Sequence, residues 1–183
     1  GTDDNREYLQ ERNKITEALT TFLAETPPPK KYLTNHPLKP DSHFIGRETE
    51  LAMIRTGVET NELLMLVNGE GGIGKTTLAS KYWYDYEAHY THLAYLFCEG
   101  EIGQELRNKF ALPLGIDMRQ IAEDKQLAAI LDTMAAYPKP CLLILDNANE
   151  SKYILEAQEL FQYIGWHILI TSRCQKVLPK EQE

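Results

Sequence analysis

Gly69-Glu70-Gly71-Gly72-Ile73-Gly74-Lys75-Thr76-Thr77 has the composition and spacing of a loop that cradles a polyphosphate. Its four glycines let the backbone turn tightly and bring N–H groups close to an anion with no Cβ in the way. A helix opening at Lys75 would leave its first-turn amides without internal acceptors and add the positive end of its dipole. Lys75 can then reach the outer phosphates as a point charge, and Thr76 can offer its hydroxyl to Mg²⁺. Gly71, Gly72, Ile73, Gly74, Lys75, Thr76 and Thr77 are the candidate phosphate-binding residues. The pattern G-x-x-x-x-G-K-[ST] should arise by accident about once in a hundred chains of this length, and an apolar run just before it makes accident rarer.

Two further stretches end in residues of matching chemistry. Leu142-Leu143-Ile144-Leu145 is followed by Asp146-Asn147, a carboxylate delivered at the end of an apolar run and suited to hold Mg²⁺ together with Thr76. Ile168-Leu169-Ile170 runs into Thr171-Ser172-Arg173, whose guanidinium could read a terminal phosphate and so tell ATP from ADP. Lys75, Asp146, Asn147 and Arg173 are thus the candidate catalytic set, with Thr76 and Asp146 as metal ligands. Asn147 follows Asp146, and an amide positions water without taking its proton, so turnover that relied on it as a base should be weak. Glu99 and Glu150 are the available substitutes. Upstream, Phe44-Ile45-Gly46-Arg47-Glu48 places an apolar pair and a cation at a helix start, where the dipole disfavours positive charge. Phe44 and Ile45 could wall a base or pack in the core, and Arg47 could meet the base, the sugar or a neighbouring carboxylate.

The elements that must position these residues can be read from periodicity. Short apolar runs at Leu63–Val67, Leu93–Cys98, Cys141–Leu145 and Ile168–Ile170 predict four strands buried on both faces. Helical stretches at 48–60, 75–90, 101–110, 124–137 and 151–163 flank them. Alternation of this kind predicts an α/β fold with a parallel sheet, whose strand ends gather on one edge where ligands bind. The aromatic cluster Tyr82-Trp83-Tyr84 and Tyr86 is expected to pack a helix on that sheet, with part of its surface free to receive another domain. Tyr8, Ile15, Leu19 and Phe22 predict an amphipathic helix within residues 1–26, and five of the nine prolines fall between Pro27 and Pro40, which predicts a linker over 27–42 before a nucleotide-binding domain at 43–183.

Composition narrows the partners. A formal net charge of −8 argues against a surface that neutralises a phosphate backbone, so no nucleic-acid partner is expected. Cys98, Cys141 and Cys174 are odd in number and widely spaced, as are the five histidines, which removes disulfide frameworks and zinc sites from consideration. Neither a signal peptide pattern nor an apolar run of membrane-spanning length is present, and a reducing cytoplasmic location is expected.

Taken in order, Phe44 to Glu48, Gly69 to Thr77, Leu142 to Asn147 and Ile168 to Arg173 resemble the motifs of the NB-ARC type of nucleotide-binding domain found in STAND signalling P-loop NTPases, over about residues 43–174. The resemblance implies a P-loop sheet of spatial order 2-3-4-1, a switch that holds ADP when closed and takes ATP with Mg²⁺ when activated, and oligomers of the activated form. It also implies that Arg173 senses the terminal phosphate, that Phe44, Ile45 and Arg47 lie beside adenine, and that lid, winged-helix and repeat domains follow in a longer chain. Asp146-Asn147-Ala148 looks most like microbial members. Two other readings compete: a turnover ATPase of the AAA+ kind, and an interaction module in which the loop is a relic and the N-terminal helix docks on a partner.

Overall fold

The computed structural model describes residues 31–41, 44, 46–61, 65–68 and 74–174, together with Lys14; the expected N-terminal helix, Pro27 to Pro29, Ile45 and Gly69 to Ile73 lie outside the described residues. The chain divides into two compact units, 1–30 and 31–183, and all but Lys14 of what is described belongs to the second.

Four runs rich in Leu and Ile become the strands β1 (Met65–Asn68), β2 (His92–Phe97), β3 (Cys141–Asp146) and β4 (His167–Ser172). They form one parallel sheet of order β1-β4-β3-β2, the expected 2-3-4-1 order counted from the other edge. Parallel pairing requires a crossover between successive strands, and helices supply it. These are α2 (Lys75–Tyr86) between β1 and β2, α3 (Ile102–Phe110) and α4 (Glu123–Ala136) between β2 and β3, and α5 (Ser151–Phe161) between β3 and β4, while α1 (Glu48–Asn61) precedes β1.

Each strand turns alternate residues to opposite faces. Leu93, Leu142, Ile144 and Leu169 pack with Leu51, Ile54 and Val58 of α1 and Leu78, Ala79, Tyr82 and Trp83 of α2. Ala94, Leu96, Leu143, Leu145, Ile168 and Ile170 face the other way, onto residues of α3, α4 and α5 such as Leu106, Ile130 and Ile154. Cys98 and Cys141 are buried, and Cys174 is half-buried. Burial on both faces is why the strands lack polar alternation.

Several boundaries move. Asp146 is the last residue of β3, paired with Phe97, where sequence places it just past the strand. The helix expected to reach Tyr90 ends at Tyr86, and its chain continues as a 3₁₀ turn, Glu87–His89. The one expected to reach Tyr163 stops at Phe161, ahead of Gly165 at φ +65°. Residues 31–34 run beside β2: Leu33 N–H donates to Leu93 O at 2.9 Å and Leu93 N–H to Lys31 O at 2.7 Å. Tyr32 then joins the α2 side and Leu33 the opposite core, as strand alternation requires. Tyr84 of the aromatic cluster donates its hydroxyl to Pro37 O at 2.8 Å, so residues of the chain itself occupy part of that surface. Among the described residues, no helix is long and apolar enough to cross a membrane.

Candidate functional site

Because all four strands are parallel, β1, β3 and β4 deliver their carboxyl ends to one edge. A cleft of about 290 Å³ lies there. Gly74, Lys75, Thr76 and Thr77 line it from the start of α2, Asp146, Asn147 and Asn149 from the end of β3, and Thr171 and Arg173 from the end of β4. Lys75, Thr76, Thr77, Asp146, Asn147 and Arg173, singled out from three separate stretches of sequence, are thus brought together.

Gly74 caps α2 at φ +83°, a left-handed conformation that an L side chain adopts only under strain. No described side chain caps this N-terminus and no acid sits in its first turn, which suits an anion held by the helix start. A Cβ on Gly74 would stand 3.7 Å from Phe44 Cε2, so the Phe44 ring lies over the start of α2. Phe44 and Arg47 do not line the cleft; Arg47, at φ +72°, pairs with Glu50 at 2.9 Å, the neighbouring-carboxylate alternative of its sequence reading.

Asp146 is fully buried, and three hydroxyls converge on its carboxylate. Thr76 Oγ1 donates to Oδ1 at 3.0 Å, Thr171 Oγ1 donates to the same oxygen, and Tyr95 Oη donates to Oδ2 at 2.7 Å. A buried carboxylate left without donors would cost several kcal/mol, and these hydroxyls offset that cost. The donor set is hard oxygen throughout, the chemistry that Mg²⁺ takes when phosphate oxygens and water complete its shell. Among the described residues no group of three His, Cys, Asp or Glu side chains is placed to hold a metal ion.

The loop after β3 is laced to the loop after β4. Asn147 N–H donates to Thr171 Oγ1 at 3.0 Å, and Ala148 N–H to Thr171 O at 3.0 Å. Asn149 Oδ1 accepts from Arg173 N–H at 2.9 Å, and Cys174 Sγ donates to Asn149 O at 2.8 Å. Asn147 holds φ +66° and uses its amide on Cys98 O and Asn149 Nδ2. Its side chain therefore stabilises the turn as well as facing the cleft. Glu99 is exposed and Glu150 pairs with Lys152 at 3.2 Å; neither lines the cleft. Burial pushes the Cys98 thiol up to about 12, which keeps it protonated beside Asp146 and inert as a nucleophile.

Sequence reasoning missed Tyr95 and Asn149. Asn149 sits two residues beyond Asn147, and its type, which readily bonds nearby backbone, was the available signal. Tyr95 had a weaker one, a polar-tipped residue within the apolar run Leu93-Ala94-Tyr95-Leu96.

No protein-family model matches the chain, and no curated protein matches it. Among solved structures, C. elegans PCH-2 is similar with a TM-score of 0.39 and 15% identity over 72% of this chain. The match spans 37% of that protein's chain. At this distance the likeness assigns neither family nor function.

Proposed function

We propose that the chain is a nucleotide-binding switch module that takes ADP or ATP with Mg²⁺, in the manner of the STAND proteins its motifs resemble, and that it turns nucleotide over slowly. The observation that carries the reading is the hydrogen bond from Thr76 Oγ1 to Asp146 Oδ1 at 3.0 Å. It joins the first turn of α2 to the end of β3, where the buried Asp146 carboxylate meets the cleft. Lys75 and the open α2 N-terminus hold the phosphates, and Thr76 and Asp146 hold the cation. When bound, Mg²⁺ neutralises phosphate charge and fixes the phosphate chain's orientation. Arg173, exposed at the cleft and held through its backbone by Asn149, meets a terminal phosphate. Phe44, over Gly74, offers an apolar surface toward the nucleotide, and adenine is the base that the resemblance implies. Weak turnover follows from Asn147, whose amide is bonded to neighbours and accepts no proton from water. Lid, winged-helix and repeat domains in a longer chain, and a homo-oligomer of the ATP form, complete the proposal.

Two measurements test it. The protein purified without added nucleotide is denatured and the released material separated by ion exchange; near-stoichiometric ADP is expected. Titration of an emptied protein with fluorescent ADP and Mg²⁺ should give saturable binding that Lys75→Ala weakens at least a hundredfold. Equal affinity in that variant would overturn the reading.

A further inference from the structure

We propose that Tyr95 is a positioning residue that fixes the Asp146 carboxylate for the Mg²⁺ of the bound nucleotide, an inference that rests on the function proposed above. The phenol donates to Asp146 Oδ2 at 2.7 Å, whereas Thr76 and Thr171 both donate to Oδ1. A carboxylate free to turn about its last torsion would exchange these oxygens. With Oδ2 held by Tyr95, Oδ1 stays turned toward Thr76 and the start of α2, where a cation shared with phosphates would sit.

Register explains how a residue in the neighbouring strand does this. Tyr95 pairs with Ile144, two residues before Asp146, so Tyr95 and Asp146 are diagonal neighbours on one face. With strands ~4.8 Å apart and two residues of rise spanning ~6.6 Å, the two backbones are about 8 Å apart on the diagonal, a span that a tyrosine bridges and a shorter hydroxyl does not. The face is the one covered by α2, so Thr76 meets the same carboxylate from above. The backbone of Tyr95 is pinned as well: its N–H donates to Thr34 Oγ1 at 2.7 Å, at the β2 edge where residues 31–34 lie.

Partners that orient a metal ligand typically change metal affinity ten- to a hundredfold when removed. Tyr95→Phe keeps the ring and deletes only the donor. With ADP saturating, the Mg²⁺ concentration giving half-maximal response should rise about tenfold, while ADP affinity in EDTA changes less than twofold. In an Asp146→Asn background the same substitution should add no further change, because the group it positions is gone. An unchanged Mg²⁺ midpoint in Tyr95→Phe, an equal loss with and without Mg²⁺, or a full additional loss in the Asp146→Asn background would each overturn the role. A wild-type chain that binds no nucleotide would instead overturn the proposed function, and this role with it. The two failures are therefore distinguishable from the wild-type titration alone.

Discussion

Asn147 does two things that its residue type permits and few others would. It occupies φ +66°, and it bonds Cys98 O and Asn149 across the turn that leads from the cleft into α5. Left-handed backbone costs an L residue with a Cβ ~1 kcal/mol or more, and asparagine tolerates it better than most. Asn147→Ala and Asn147→Gly both lose the side-chain bonds, but only the alanine adds the backbone strain. Urea denaturation should therefore find Asn147→Ala less stable than Asn147→Gly by about 1 kcal/mol. Equal stabilities would mean that the turn relaxes and that φ is not held by its surroundings. The asparagine that limits proton transfer is in this view also the one that fits the turn. Sequence announced the chemistry of this position, because an amide following an acid at a strand end can be read directly. It did not announce the conformation, which is imposed by Thr171 pulling the Asn147 N–H toward β4.

At the scale of elements, the strands and the helices between them were legible because a sheet buried on both faces leaves continuous apolar runs and its crossovers leave helical ones, whereas the spatial order of the strands was implied only by the resemblance. What was not legible is edge pairing. Lys31-Tyr32-Leu33-Thr34 is a short polar and apolar mixture in a proline-rich neighbourhood, and nothing in it announces a partner. The partner is the free edge of β2, whose unpaired backbone groups need donors and acceptors from somewhere. Once aligned there, Leu33 is 2% exposed and packs with the core under α3, α4 and α5. Removing a buried leucine side chain typically costs 2–5 kcal/mol, while a substitution in a solvated tether stays within about 0.5 kcal/mol. Leu33→Ala should accordingly lower unfolding free energy by about 2 kcal/mol or more in a denaturant titration. A change within about 0.5 kcal/mol would show that the edge segment is not part of the cooperative fold. The same blindness hid Tyr95, since its partner is chosen by the register between β2 and β3, two strands far apart in the chain.

For the molecule as a whole, composition indicated one substantial core but not which of its polar groups would be caught inside it. His92 is the clearest case among the described residues. It begins β2, is 3% exposed, lies tilted against the Tyr137 ring at 4.2 Å, and its Nε2 has no hydrogen-bond partner among the described residues. Its Nδ1 stands 3.3 Å from Thr91 Oγ1, a neutral group. Burial without a carboxylate partner disfavours the imidazolium and lowers the His92 pKa from its ordinary 6.5. The sign follows from proton counting. Below about pH 6.5 the unfolded chain binds a proton at this histidine that the folded chain resists, so acid favours unfolding. Stability from this group is fully present above the unfolded value and falls as pH drops below it, by at most about 1.4 kcal/mol per pH unit until the folded pKa is reached. His92→Phe keeps an aromatic ring against Tyr137 and removes the proton site. Melting followed from about pH 7.5 to about pH 5 should show the wild-type curve dropping more steeply than that of the variant, with the difference opening only below about pH 6.5. Parallel curves would place the acid sensitivity in groups other than His92.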